Sequence, residues 1–387
     1  MKALRKYLDK IKPNFQKGGK FEKMHTTFDM FDTILFVQDK VTHKGTHIRD
    51  SMDLKRTMMI VVIALVPALL FGMYNAGYQH FLSIGQTPTL ISAFLFGLWK
   101  VLPIVIVSYA AGGTVEVIFA TKRGHEVNEG FLVTGMLIPL IVPIDTPLWM
   151  VAIATAFAVL IGKEVFGGTG MNIVNPALLA RAFLFFAYPS KMSGDKIWIA
   201  GLEKGEGIVD GFSGATPLAN AAAGQMDHLP SVSEMVIGTI PGSIGETSVI
   251  AILLGAALLL YTGVASWKIM ASVFLGGLAM GSLLNVFATD ATPYLALPAY
   301  QHLLIGGFAF GAVFMATDPV TSAQTETGKW IYGFLIGVII IVVRVFNPAY
   351  PEGTMLAILL MNVFAPLIDY YVVKANISRR MKRVKVK

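Results

Sequence analysis

Long apolar stretches separated by short polar connections follow one another along most of the chain, from residue 57 to residue 373. A helix needs about 20 mainly apolar residues to cross a bilayer, and several stretches reach or approach that length. The pattern predicts ten membrane-spanning segments at about 57–74, 90–119, 130–144, 147–162, 174–188, 248–263, 268–288, 302–317, 329–346 and 353–373. This arrangement is typical of an all-α polytopic membrane protein.

Some of the predicted spans are short or interrupted. Lys100 lies inside segment 90–119, which predicts either one long tilted span or a span joined to a half-helix. Helix-breaking residues interrupt other segments at Pro139, Pro143, Gly306, Gly307 and Pro319. Because broken helices expose backbone groups to a buried site in transporters, the sequence predicts such a site here.

A weak internal repeat divides the spans into two sets of five. In each set a Gly-Phe pair opens an apolar run that leads to an aspartate and then to an Asn-Pro pair. The repeated positions are 130–131, Asp145 and 175–176 in the first set and 307–308, Asp318 and 347–348 in the second. The pattern predicts two related five-helix halves, with chance similarity between apolar sequences as the alternative.

The composition agrees with a membrane protein and limits its chemistry. Hydrophobic residues make up 55% of the 387 residues and charged residues 14%, whereas soluble domains carry about 25% charged residues. The chain has no cysteine, which excludes disulfides, thiolate-bound iron–sulfur clusters and cysteine nucleophiles within it. Redox chemistry in this chain would therefore need an organic cofactor.

The positive charge is concentrated at the two ends of the chain. Residues 1–56 hold 13 Lys and Arg and residues 374–387 hold 7, which together are 20 of the 31 in the chain. Basic segments beside membrane spans stay in the cytoplasm, so both tails are predicted to be cytoplasmic, and the net charge of +7 requires no nucleic-acid partner. The predicted divisions are a cytoplasmic N-terminal arm at 1–56, a first half at 57–188, a periplasmic loop at 189–247, a second half at 248–373 and a basic cytoplasmic tail at 374–387.

The predicted periplasmic loop contains a small polar motif, Ser213-Gly214-Ala215-Thr216, followed by Pro217. Turn-forming residues of this kind are common in ordinary loops, and that is one interpretation. The other is that the Thr216 hydroxyl is an attachment point, with room for a modifying enzyme beside Gly214 and Ala215.

Several motifs along the chain carry a family resemblance. They are HIRDSMDLKR (47–56), FGMYNAG (71–77), HEVNEGF (125–131), KEVFGGTG (163–170), NPALLARAFLFFAYP (175–189), SGAT (213–216), IPGSIGE (240–246), GGFAFG (306–311), MATDPV (315–320) and NPAYPEGTMLAILL (347–360). Together they cover nearly the whole chain, which resembles the B subunit of the bacterial Na+-translocating NADH:quinone oxidoreductase. The resemblance implies FMN bound to Thr216 through a phosphoester, made by a periplasmic flavin transferase.

The resemblance also implies a fold, a location and partners. The fold is expected to be like that of urea and ammonium channels, in a bacterial inner membrane. The complex is expected to have six subunits, with NADH-binding and iron–sulfur subunits as partners and Na+ as the transported ion. NADH is expected to bind elsewhere, because the glycine-rich run at 167–170 lacks the preceding strand of a dinucleotide motif.

Two alternative functions remain open from the sequence. The Rnf electron-transport complex has a related flavin-bearing D subunit, although that protein usually lacks an arm as long as 1–56, and the motif at 47–56 favours the quinone reductase. A channel or transporter without redox activity would share the ten spans and the repeat. Bound flavin distinguishes both redox proteins from a channel.

The resemblance implies that the paired glycines Gly112 and Gly113 lie at the family's ubiquinone site. Glycine would let a flat quinone ring approach the backbone, but paired glycines also permit close packing of membrane helices. Glu116 lies four residues beyond Gly112 and shares its helical face. Glu116 and Asp369 resemble acids linked in the family to Na+ uptake, the alternative being an interfacial acid paired with a base such as Lys374.

The resemblance further implies a noncovalently bound riboflavin. Asn172 and Asn175 could hydrogen-bond its ring edge, although Asn175 precedes Pro176 and could equally cap a helix. Arg181, an intramembrane cation, is expected to face a partner or a cofactor and is a candidate flavin contact, and Ser213, Gly214 and Ala215 are expected to contact the FMN. The pair Asp318-Pro319 is typical of a helix boundary. The seven histidines give no pattern that predicts a metal site.

Overall fold

The structure is a computed structural model that describes residues 2–16, 18–21, 53–124, 130–205, 212–289, 292–347 and 352–384, with isolated positions between 25 and 48 and at 127 and 209. Most of the predicted arm between 22 and 52 therefore lies outside the described residues. Within them every regular element is helical, and helix accounts for 71%. The prediction of an all-α protein is confirmed.

Six helices precede the long loop. They are α1 Lys2–Ile11, α2 Leu54–Ser83, α3 Leu90–Arg123, α4 Gly130–Leu140, α5 Leu148–Val159 and α6 Pro176–Ala187. Helix α3 is continuous for 34 residues, which decides between the two predictions for segment 90–119 in favour of one long helix. It begins at Thr89, where the hydroxyls of Thr89 and Ser92 form a capping box, and it ends at Gly124 in the left-handed conformation.

A single helical turn at Pro189–Met192 opens the long loop, and eight further helices follow within the described residues. They are α7 Pro217–Ala222, α8 Val232–Ile237, α9 Val249–Tyr261, α10 Trp267–Val286, α11 Ala299–Leu304, α12 Phe308–Phe310, α13 Glu326–Phe346 and α14 Thr354–Val384. Each of the ten predicted spans contains all or part of at least one of these helices. The predicted first span was too short, because α2 continues nine residues beyond 74 to Ser83.

The helices fall into long and short classes. Five are long and apolar enough to cross a bilayer, namely α2, α3, α10, α13 and α14. Helices α4, α6 and α9 are apolar but have only 11 to 13 residues. Two π-helical turns, Leu160–Glu164 after α5 and Gly311–Met315 after α12, add further irregularity. The predicted broken and half helices are therefore present.

The two halves repeat the same packing arrangement. Helix α3 packs on α5 as α10 packs on α13, and α5 packs on α6 as α13 packs on α14. Helix α2 packs on α4 as α9 packs on α12, and the halves meet where α2 contacts α9 and where α6 contacts α14. The extensive α2–α3 pairing has no comparable counterpart between α9 and α10, both of which are fully described. This arrangement supports the two related five-helix halves that the sequence predicts.

The helix bundle has two ends, which we call the loop end, where the long loop packs, and the tail end, where the basic C-terminal part of α14 lies. At the loop end, His80 Nδ1 lies 2.7 Å from the Ala200 carbonyl oxygen, and Asp145 accepts hydrogen bonds from Lys100 and from the backbone of Gly201. The tail end holds the start of α2, the end of α3 and the second half of α14. The described part of the long loop and the basic end of α14 therefore lie at opposite ends of the bundle.

The last part of the long loop enters the bundle. Gln79 donates to the Thr239 carbonyl and Asn75 to the Ile240 carbonyl, both at 2.9 Å. Farther on, the Gly245 amide donates to the Leu140 carbonyl at the broken end of α4, at 2.7 Å. Residues 239–248 thus pass from the loop end into the interior before α9 begins, which a hydropathy pattern does not reveal.

Candidate functional site

A cavity lies between the two halves at the tail end, and we refer to it as the interhalf cavity. Its apolar wall includes Val61, Val133, Leu137, Leu259 and Phe314, and its polar wall includes Thr57, Lys163, Thr169, Asn172, Asn175 and Asp318. Both halves therefore contribute to it. Mostly apolar cavities with a few polar groups are typical of small-molecule sites.

Asn175 has two roles in this wall. Its side-chain oxygen accepts hydrogen bonds from the amides of Ala177 and Leu178, at 2.9 and 3.3 Å, and Pro176 occupies the first position of α6. The helix-cap interpretation is therefore confirmed. Its side-chain nitrogen also donates to Asp318 Oδ2 at 3.4 Å, which joins the first half to the second beside the cavity.

Asn362 on α14 supports this junction from behind. Its side-chain oxygen accepts from the Asn175 amide at 3.1 Å, and its nitrogen donates to the Tyr332 hydroxyl at 2.8 Å. Asp318 in turn accepts from the Val320 amide and the Thr321 hydroxyl, as expected for a residue at a helix boundary. Sequence reasoning missed Asn362 and Tyr332, although a lone asparagine in an apolar span was an available signal.

The polar wall of the cavity also contains an unpartnered hydroxyl. Thr169 Oγ1 is buried and has no hydrogen-bond partner within the described residues, while the half-buried Asn172 donates to the Val174 carbonyl at 3.2 Å. A ligand carrying both donors and acceptors would satisfy Thr169 and the remaining capacity of the asparagines. The donor and acceptor edge of a flavin ring fits this wall.

A buried ion pair lies beside the cavity, between α3 and α5. Lys163, in the first π-helical turn, donates to Glu116, and the two side chains are only 4% and 5% exposed. Glu116 and Gly112 both lie on the buried face of α3, as the helical spacing predicts. A neighbouring pair joins Arg123 to Glu164 at 2.7 Å.

The paired glycines have different surroundings. Gly112 is buried against the Phe131 ring, and a Cβ at this position would overlap that ring. Gly113 is half-buried, and the nearest atom to a Cβ placed there would be a Phe131 carbon at 3.9 Å. Close helix packing therefore explains Gly112, whereas Gly113 has room for a ligand.

Asp369 is held by the start of α13. Its carboxylate accepts hydrogen bonds from the amides of Gln324 and Thr325, at 2.7 and 3.0 Å, and from the Thr325 hydroxyl. Lys374 instead lies 5.8 Å from the centre of the Tyr370 ring. The backbone of a helix N-terminus thus takes the place of the lysine that the sequence suggested as the alternative partner.

Thr216 lies at the loop end, where it forms the N-cap of α7. Its hydroxyl accepts from the Ala219 amide at 3.2 Å, and the residue is half-buried. Gly214 is buried where a Cβ would overlap the Asp195 carbonyl oxygen, whereas Ser213 is exposed and its hydroxyl accepts from the Ala215 amide at 3.3 Å. The glycine therefore anchors the motif, and the threonine remains partly accessible.

A small pocket beside Thr216, here the Thr216 pocket, leads to buried charges. Its lining includes Gly306, Glu246 and Glu352. Arg181 donates to Glu246 at 2.8 Å and also to Glu352. Because both acids line the Thr216 pocket, Arg181 lies near this pocket. It does not line the interhalf cavity. Asn172 and Asn175, by contrast, both line the interhalf cavity. The acids that pair with Arg181 were not predicted, because they come from distant loops.

Comparison with known proteins is consistent with this architecture. The profile of the NQR2, RnfD, RnfE family matches residues 41–378. The chain belongs to this family. The motif positions identified above, including the threonine of the SGAT motif, fall within the matched range.

Individual relatives match over nearly their full length. The B subunit of the Na(+)-translocating NADH-quinone reductase from Ectopseudomonas mendocina is 48% identical, covering 98% of this chain and 99% of the relative. The proteins of the same name from Pseudomonas paraeruginosa and Chromohalobacter salexigens are 49% and 48% identical, each over 98% of this chain and 99% and 97% of the relative. The similarity thus includes the N-terminal arm as well as the membrane part.

Proposed function

We propose that this chain is the flavin-bearing membrane subunit of a Na+-translocating NADH:ubiquinone oxidoreductase. In this role it carries FMN covalently on Thr216 and passes electrons to ubiquinone, coupled to Na+ translocation. The observation that carries the proposal is the near full-length identity to relatives named as the B subunit of that enzyme. The shared arm favours this function over an Rnf-type protein.

The surroundings of Thr216 support the covalent attachment. A partly accessible hydroxyl stands on a loop at the end opposite both tails, with its backbone fixed by the buried Gly214. Attachment converts the hydroxyl to a phosphoester, so it removes the donor hydrogen but leaves Oγ1 able to accept from Ala219. FMN supplies one- and two-electron chemistry, and the link prevents its loss.

Flavin fluorescence of the denatured protein on a gel tests this attachment. We expect a fluorescent wild-type band, no fluorescence for Thr216→Ala, and retained fluorescence for Thr216→Ser, because serine keeps both the nucleophilic oxygen and the helix cap. Mass spectrometry of the peptide that contains Thr216 locates the group. Ser213→Ala is the matched control, since it removes a neighbouring hydroxyl and leaves Thr216 intact.

A dark wild-type band, from a host that contains the flavin transferase, would contradict the proposal. It would also favour the non-redox channel function over both flavin-bearing alternatives. Fluorescence in Thr216→Ala would instead move the attachment to another residue.

Riboflavin, ubiquinone and Na+ have separate sites in this proposal. Riboflavin occupies the interhalf cavity against Asn172 and Asn175, supported by the unpartnered Thr169 hydroxyl. Ubiquinone binds at Gly112-Gly113, with Gly113 offering the open side. Glu116 and Asp369 belong to the Na+ path, although the hydrogen bonds on Asp369 also give it a structural role.

The topology and partners belong to the same proposal. The protein lies in the bacterial inner membrane with both tails in the cytoplasm, and Thr216 faces the periplasm, where a flavin transferase works. The NADH-binding and iron–sulfur subunits of a six-subunit complex are its partners, because this chain has no cysteine to ligate a cluster.

A further inference from the structure

One lysine near the interface of α3 and α5 lies between a buried carboxylate and the interhalf cavity. Lys163 donates to Glu116 in the buried ion pair, and it is also part of the wall of the interhalf cavity. A lysine side chain has a flexible four-carbon stem and a compact charge. Its ammonium group can therefore turn from Glu116 toward the cavity without a change in the helix backbone.

The backbone around Lys163 is irregular. Residues Leu160–Glu164 form a π-helical turn at the end of α5, and such turns occur frequently at functional sites. The adjacent acid, Glu164, is held by the guanidinium of Arg123 through both its carboxylate and its carbonyl oxygen. Within the described residues, Arg123 therefore neutralises Glu164, and Lys163 is matched to Glu116.

A second observation points to a cation at this interface. Thr155, two helical turns before Lys163 on α5, is fully buried, and its hydroxyl has no hydrogen-bond partner within the described residues. Its methyl group faces Gly112, which lies one turn before Glu116 on α3. An unpartnered oxygen in an apolar interior is costly, but it is a suitable ligand for a hard cation such as Na+.

We infer that Lys163 is the resident cation of a Na+ exchange site at Glu116. Sodium binds the Glu116 carboxylate as the Lys163 ammonium turns to the interhalf cavity, and the Thr155 hydroxyl, buried beside Gly112, supplies a further oxygen. The exchange replaces one monovalent cation by another, so the buried carboxylate is never left without a counter-charge. Lys163 is thus a positioning residue that sets the affinity for Na+.

This inference rests on the proposed function, because it assumes that Glu116 belongs to the Na+ path. It adds that Lys163 competes with Na+ for Glu116 and that this competition lowers the affinity for Na+. A lysine that only stabilises the fold would change the stability of the complex without lowering the Na+ concentration at half-saturation.

The test uses the purified complex, in which both 22Na+ binding and the Na+ dependence of quinone reduction are measured. Lys163→Gln removes the competing charge and keeps a hydrogen-bonding side chain, so we expect the half-saturating Na+ concentration to fall by about tenfold, a size typical of coupling between two sites. Lys163→Arg keeps the charge and can hold a carboxylate at two points, so it should raise that concentration. Covalent-flavin fluorescence and subunit content confirm assembly of each variant.

Lys100→Gln is the matched control. It removes a lysine from a second ion pair, 3.1 Å from Asp145, between α3 and the segment before α5 at the loop end, and we expect no change in Na+ affinity. Adding Glu116→Gln to Lys163→Gln should abolish the gain in affinity. Thr155→Val keeps the side-chain shape and should weaken Na+ binding.

The outcomes are distinguishable. An unchanged or higher half-saturating concentration in Lys163→Gln overturns the inference, as does an equal fall in Lys100→Gln, which would reflect lost positive charge in general. An Lys163→Arg value at or below wild type also overturns it, even if Lys163→Gln fails to assemble. A wild-type complex without covalent flavin or Na+ dependence refutes the proposed function itself.

Discussion

Single residues in this chain have roles that depend on which helix they contact. Gly112 and Gly113 are neighbours in sequence, yet the first lies against the Phe131 ring, whereas the second is half-buried and a Cβ there would lie 3.9 Å from the nearest Phe131 carbon. The sequence offered close packing and quinone binding as alternatives for the pair. The structure shows close packing at Gly112 and less crowding at Gly113, and quinone binding at Gly113 is our proposal.

Alanine substitutions separate these roles. Gly112→Ala is expected to lower the thermal unfolding midpoint of the complex, because the added methyl group overlaps Phe131. Gly113→Ala should leave the midpoint unchanged and raise the KM for ubiquinone by about tenfold, which corresponds to about 1.4 kcal/mol of lost binding. Thermal unfolding and steady-state kinetics measure the two effects.

A second-site change controls for packing. Phe131→Leu gives space to the new methyl group, so it should restore the unfolding midpoint of Gly112→Ala without correcting the KM of Gly113→Ala. If Gly113→Ala left the KM unchanged, the quinone assignment for Gly113 would be wrong.

The local sequence predicted a helix cap but not the long-range ion pairs. The Asn175-Pro176 signal for a helix cap was sufficient, because a cap is formed by neighbouring residues. The Glu116–Lys163 pair joins residues 47 positions apart, and Arg181 contacts acids 65 and 171 positions away. No periodicity encodes such contacts, so they depend on how distant segments of the chain pack together.

At the level of elements, the junction of α6, α13 and α14 fixes the polar wall of the interhalf cavity. Asn362 connects the backbone of the α6 cap residue to the Tyr332 hydroxyl on α13. Apolar periodicity predicted these helices well. Their mutual orientation depends on buried hydrogen bonds that hydropathy does not report.

Asn362→Leu is expected to release the noncovalent flavin from the complex. The change leaves the Asn175 amide and the Tyr332 hydroxyl without this partner, which costs about 1–3 kcal/mol for each buried group left unsatisfied. The noncovalent flavin content of the purified complex, measured after acid extraction, checks the result.

Asn285→Leu is the corresponding control. Asn285 also bridges two backbone carbonyls, those of Leu295 and Leu297, both at 2.7 Å, but it is not part of the cavity wall. Its noncovalent flavin content should equal that of wild type. Equal flavin loss in both variants would show that Asn362 acts on general stability alone.

At the level of the whole molecule, the inward course of the long loop accounts for the breaks beside two short helices. Helices α4 and α9 end or begin inside the bundle, where residues 239–248 and the broken end of α4 meet. The Pro and Gly positions in the sequence predicted the breaks in the helices. The inward course of 239–248 could not be predicted, because its polar groups are satisfied by Asn75 and Gln79 on a distant helix.

The absence of cysteine from the sequence makes the topology directly measurable. Single cysteines replacing the exposed Ser233 and Ser378 report on the loop end and the tail end. A membrane-impermeant maleimide should label Ser233→Cys in intact spheroplasts. It should label Ser378→Cys only after the spheroplasts are permeabilised. Labelling of Ser378→Cys in intact spheroplasts would reverse the proposed orientation.

The two cavities lie at different depths along α2. Thr57 lines the interhalf cavity, whereas Asn75 binds the carbonyl of Ile240, a lining residue of the Thr216 pocket. At 1.5 Å per residue these helix positions are about 27 Å apart, close to the thickness of a bilayer's hydrocarbon core. An electron that moved between flavins at these two places would therefore perform electrical work of about 2.3 kcal/mol for each 100 mV of membrane potential, so the rate of that transfer would respond to the energised state of the cell.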